Sequence, residues 1–69
     1  MVLIPGLKKA REKALLTQVE LSEKSGVAVI TIARAETGHG VRFSTVRKLA
    51  ETLNVAPAEL VGEESARAA

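Results

Sequence analysis

The stretch that decides the fold is residues 16–38, "LTQVELSEKSGVAVITIARAETG". It opens with "TQVE", the form of a capping box, in which the Thr17 hydroxyl accepts from the Glu20 amide and the Glu20 carboxylate accepts from the Thr17 amide. A helix therefore starts at Gln18 and runs to about Ser25, with Val19 and Leu21 supplying apolar contacts. Gly26 can take the left-handed conformation that ends it. A turn of about three residues then leads to a further helix over 28–36. At 100° per residue, Ala28, Ile32 and Ala35 fall within about 60° of arc and face a core. Ile30, Ala33 and Arg34 point the other way, with Val29 and Thr31 on the flanks. An isoleucine beside an arginine on an exposed face calls for a partner.

Outward from that stretch the signals stay helical. Pro5 suits the first position of a helix with Leu7, Ala10 and Ala14 on one face, and Leu15 and Leu16 close it against the core. Gly38 ends the third helix, and "TGHGVRF" reads as a loop. Ser44 is a good N-cap for a fourth helix whose Val46, Leu49, Ala50 and Leu53 recur at helical spacing; Asn54 can stop it. "VAPAELVG" places Pro57 at the start of a short fifth helix that Gly62 ends, and "EESARAA" should fray. Five short helices with tight turns fit a compact all-α arrangement with helices crossing at steep angles. The expected folded part is about 4–62 of a single domain spanning 1–69, with a frayed tail at 63–69.

The size and composition agree with this. Sixty-nine residues support one small core and no second domain. There is no cysteine, which removes disulfides and thiolate metal sites and suits a cytoplasmic location. "MVLIPG" is too short and lacks the basic start of a signal peptide. No run approaches the ~18 apolar residues of a membrane span. One histidine and no aspartate leave no nucleophile–base constellation and no metal cluster, and no glycine loop cradles a phosphate, so we expect no enzyme, no metal, no cofactor and no small-molecule ligand.

Charge is unevenly spread. Through Lys48 there are nine Lys or Arg against four Glu, a balance of +5, and the remainder carries −3. A basic first two-thirds suggests a polyanion for one face, although scattered charges can also simply solvate helices.

Two short helices joined by a glycine-bearing turn make a helix-turn-helix, whose second helix can enter the major groove of DNA. In "LTQ", "EL", "SGV", the isoleucine at 32, the glutamate at 36 and the glycine at 38, the chain resembles the Cro and phage-repressor family, also called the xenobiotic-response-element family. "STVRKLAETLNVAPAELVG" resembles that family's fourth and fifth helices, so the likeness covers about residues 7–62. It implies a five-helix, lambda-repressor-like DNA-binding domain acting as a sequence-specific transcriptional regulator, in the repressor sense, on double-stranded DNA.

The resemblance also assigns roles. It places Thr17 and Gln18 at a helix start that grips a phosphate, Val29, Ile30, Thr31 and Arg34 on base edges or nearby phosphates, and His39 and Arg42 in a loop along the backbone. It makes Arg11 and Glu36 a structural ion pair between the first and third helices. Val55, Pro57, Leu60 and Val61 match the segment that brings two copies together on DNA as a homodimer, with the alternative that this segment caps the protein's own core. Three positions depart from the family's pattern: Ala28 replaces a capping Ser or Thr, Ala35 replaces a larger residue, and Ser22 stands where Ala is usual. The competing reading is a protein-interaction module of antitoxin or adaptor type that uses the Val29/Ile30 stripe, since exposed apolar stripes also mark protein contacts.

Overall fold

Five helices follow one another along residues 1–61, the part of the chain that the computed structural model describes: α1 (Leu7–Lys13), α2 (Gln18–Ser25), α3 (Val29–Glu36), α4 (Phe43–Leu53) and α5 (Pro57–Val61). The expected stop at Gly62 and the frayed tail at 63–69 lie outside the described residues.

The first four helices end alike, on a residue in the left-handed region: Leu15 (φ 60°), Gly26 (φ 77°), Gly38 (φ 99°) and Asn54 (φ 56°). Three of these ends are Schellman motifs, with paired hydrogen bonds back into the last turn. After α1 the Leu16 and Leu15 amides donate to the Arg11 and Glu12 carbonyls at 3.2 and 3.0 Å. After α3 His39 and Gly38 donate to Arg34 and Ala35, and after α4 Val55 and Asn54 donate to Ala50 and Glu51. α2 uses the simpler form, a single bond from the Gly26 amide to the Ser22 carbonyl at 2.9 Å. The helices are short because each stops at a residue that reverses the backbone and satisfies its last carbonyls.

Leu15 is the exception in chemistry. A side chain in this conformation costs roughly 1–2 kcal/mol, and Leu15 is 88% exposed. The expectation that Leu15 packs on the core is corrected: the reversal turns it outward, and only Leu16 packs against the interior.

Every helix contributes to one core. Ile4, Leu7, Leu21, Ile32, Leu49 and Leu60 are its fully buried large side chains, joined by Val27, Ala35, Val41, Val46, Ala50 and Leu53. Val19 is exposed because it lies about 200° around the helix from Leu21. Ala14 is exposed as the residue closing α1, and Ala28 is exposed because it precedes α3 in an extended conformation (ψ 139°), outside the helical periodicity. Ser44 is not an N-cap either; α4 starts two residues earlier than that cap would place it, at Phe43 with Arg42 as N-cap.

Two contacts that the periodicity does not announce complete the fold. The Gly6 amide donates to the Leu60 carbonyl at 2.9 Å, and a β-carbon at Gly6 would collide with the Glu59 carbonyl oxygen. Gly6 thus docks the chain on α5, and α1 begins at Leu7, two residues after Pro5. Val2 and Val41 form an isolated antiparallel bridge, each amide donating to the other's carbonyl at 2.8 Å. This bridge holds Val41 extended, so the chain enters α4 directly after Arg42.

Candidate nucleic-acid interface

The local sequence fixes α2 before tertiary packing acts. Thr17 accepts from the Glu20 amide at 3.0 Å and its own amide donates to the Glu20 carboxylate at 2.9 Å, a complete capping box. The Thr17 amide and hydroxyl together hold the Glu20 carboxyl below its ordinary range. Gly26 reverses the chain, the Val27 amide donates to the Ser25 hydroxyl at 3.1 Å, and the buried Val27 side chain anchors the turn.

α3 has no such start. Ala28 offers no side-chain cap, so this helix is held by what it buries: Ile32, Ala35 and, at its last residue, Glu36. Arg11 reaches Glu36 as a fork, Nε donating to Oε2 at 2.6 Å and an η-nitrogen to Oε1 at 3.0 Å. The other η-nitrogen donates to the Leu16 carbonyl at 2.8 Å. Only 12% of the Arg11 side chain and 5% of the Glu36 side chain are exposed. Burial alone would raise the Glu36 carboxyl; the hydrogen bonds from Arg11 and Gln18, with the charges of Arg11 and Lys8, outweigh it and hold the group below the usual carboxylate range. The same hydrogen bond raises the Arg11 guanidinium against its burial.

With Ile32 and Ala35 inward, the opposite side of α3 is open. Ile30 is 65% exposed, Arg34 and Val29 are exposed, and Thr31 is half-buried. Beside α3 lies an open cleft of about 570 Å³ lined by Thr31, Arg34, His39, Arg42, Thr45 and Met1, with Gly40 and Val41 at its base. Two arginines and no carboxylate line it, so the cleft is set for an anion. The loop forming its far wall is tied down. The Thr37 hydroxyl donates to the Arg34 carbonyl at 2.9 Å, and His39 Nδ1 lies 3.2 Å from that carbonyl, a placement that suits the tautomer donating from Nδ1.

The structure therefore gathers Thr31, Arg34, His39 and Arg42 around one concavity, with Val29 and Ile30 along the adjoining helix face. Thr17 is exposed, with its hydroxyl spent on the cap. Gln18 is half-buried and its Nε2 donates to Glu36 Oε1 at 3.1 Å, so its amide joins the Arg11–Glu36 network. Thr45 and Met1 line the cleft without any sequence signal, since their place depends on the Val2–Val41 bridge. Of the segment proposed to join two copies, Leu60 is fully buried in its own core, Val55 and Val61 are half-buried against it, and Pro57 is exposed.

Against this geometry, a helix-turn-helix family model matches residues 7–60. The chain belongs to the Cro and phage-repressor type of helix-turn-helix proteins. This family comprises DNA-binding regulators rather than enzymes, so membership gives the chain a DNA-binding domain. No curated protein and no solved structure gives a match. No helix among the described residues is long and apolar enough to cross a membrane.

Proposed function

We propose that the chain is a sequence-specific transcriptional repressor of the cytoplasm that inserts α3 into the major groove and acts by occupying an operator. What supports this is the union of an open α3 face with a carboxylate-free cleft holding Arg34 and Arg42. Arginine is the usual bidentate partner of guanine O6 and N7, and the methyl groups of Val29, Ile30 and Thr31 suit the C5-methyl of thymine. Arg42 and His39 serve the backbone from the loop, and phosphate contacts of this kind set register rather than sequence. At the start of α2, the main-chain N–H of Gln18, which no preceding turn satisfies, meets a phosphate while the Gln18 side-chain nitrogen stays on Glu36, and Thr17, whose amide is committed to Glu20, holds that helix start in place. One recognition helix spans few base pairs, so two copies bind half-sites about one DNA turn (~34 Å) apart.

Selection of bound sequences from a random duplex pool at defined salt tests the proposal. The expected result is a palindromic motif whose affinity falls ~10³-fold between 50 and 200 mM salt. Arg34→Ala should cost about 1–3 kcal/mol of binding and relax preference at one base pair of each half-site. No enrichment together with a flat salt response would overturn it, and retention of a protein partner by an Arg34→Ala chain would then point to the interaction-module reading of the Val29/Ile30 stripe.

A further inference from the structure

The outward face of α3 is as informative for the groups it lacks as for those it carries. Ala28, Val29 and Ile30 are exposed, Thr31 is half-buried beside them, and Arg34 follows one turn after Ile30. Telling bases apart by hydrogen bonds takes an amide for adenine, a carboxylate for cytosine or a cation for guanine. The chain has two amide side chains, Gln18 and Asn54, and no aspartate. Gln18 donates to Glu36, Asn54 closes α4, and the α3 carboxylate, Glu36, is gripped by Arg11. What α3 holds outward is therefore one guanidinium, one hydroxyl and a set of methyl groups.

Arg34 spends its fork on a guanine. The β-carbons of Ile30 and Arg34, one turn apart, are about 5–6 Å from each other, and neighbouring bases stack about 3.4 Å apart. The isoleucine thus lies over the base pair next to that guanine. There, thymine and 5-methylcytosine offer the same C5-methyl group and differ beside it, thymine showing an O4 acceptor and the cytosine an N4 donor. Methyl groups are blind to that difference, and the Thr31 hydroxyl both donates and accepts, so it suits either base. Uracil and unmethylated cytosine leave the space against Val29 and Ile30 empty. Resting on the major-groove reading of α3 above, we infer that this face recognises the C5-methyl group itself, so that 5-methylcytosine beside guanine is bound as thymine beside guanine is. The ligand is a methyl-bearing pyrimidine next to guanine, and methylation of a cytosine turns a poor site into a good one.

The test measures binding of the full chain, at fixed salt, to duplexes carrying the selected motif. In one half-site each thymine is replaced in turn by deoxyuridine, which removes only the methyl group, by cytosine, and by 5-methylcytosine, the last two with guanine opposite. At one or more thymines next to guanine, uracil should weaken binding about 4-fold, the worth of one buried methyl. At the same position 5-methylcytosine should bind about 4-fold more tightly than cytosine. The double variant Val29→Ser, Ile30→Ser, changed at two exposed positions, should bring both ratios to about one with helical circular dichroism unchanged. Three results each overturn the inference: no thymine sensitive to loss of its methyl, a gain from the methyl of thymine without one from that of cytosine, or ratios that survive in the double variant. All three leave salt-dependent binding of the duplex in place. A chain that binds no duplex at any salt overturns the DNA reading and this inference with it.

Discussion

The two helices of the helix-turn-helix are built by opposite means. α2 is closed locally at both ends, by the Thr17–Glu20 box and by Gly26, so its position follows from residues within a few places of one another. α3 starts on an alanine with no cap and depends on distant partners: Ile32 and Ala35 in the core, and Arg11 of α1 gripping Glu36 from 25 residues away. The helix that would face DNA is thus the less self-sufficient of the pair. Its outward side is free of structural duties because its inward side and last residue carry them all. Local capping makes a platform, and tertiary anchoring leaves the outward positions of α3 open for the contacts proposed above.

The sharpest way to break this contrast is to cut the distant anchor. Arg11→Met leaves the buried Glu36 carboxylate without its main partner and should destabilise the fold by about 3 kcal/mol, the low end for a buried pair because Arg11 reaches the surface. Urea melting checks it, and unchanged stability would remove Arg11 from the scaffold. The pH dependence should follow the same bond. The Glu36 carboxyl is depressed in the folded state, so its contribution is present above the ordinary carboxylate range of about 4.3 and is lost as pH falls through the lower folded value. Stability should therefore decline below about pH 5 in the wild type, and the decline should be shallower in Arg11→Met.

Removing the local device is milder. Thr17→Ala should cost about 1 kcal/mol in thermal or urea melts, with α3 still anchored. The converse experiment gives α3 the cap it lacks: Ala28→Ser should stabilise by about 0.5–1 kcal/mol, and a neutral result would mean that the first turn of α3 is already satisfied. The smallest effect is expected at the end of α1, where Leu15→Gly relieves a left-handed leucine at the expense of a more flexible unfolded chain, a net gain of about 0.5 kcal/mol. Proton-exchange protection of the Leu15 and Leu16 amides would sharpen that assignment.

Much of the architecture was legible because the signals are local. The capping box, the left-handed Gly26, Gly38 and Asn54, and the spacing of Val46, Leu49, Ala50 and Leu53 each report on a few neighbouring residues. Legibility failed where a residue's environment is set from afar. Leu15 reads as core by composition, and only the Schellman bonds reveal that the chain reverses there. Ser44 looks like a cap, but the bridge between Val2 and Val41 fixes where α4 begins. That bridge pairs two single residues 39 positions apart and leaves no alternation to detect. The candidate interface was half legible for the same reason. Its residue types and helix face were readable, whereas the shared cleft and the tie between Gln18 and Glu36 exist only once α2, α3 and the loop are assembled.

The Val2–Val41 bridge has a practical corollary. By pinning the start of the chain to the loop after α3, it sets Met1 at the rim of the hollow that holds Arg34 and Arg42. A purification tag fused ahead of Met1 would emerge there and crowd an incoming duplex. Tagged protein should fold normally yet bind DNA poorly, and cleaving the tag should bring the affinity back.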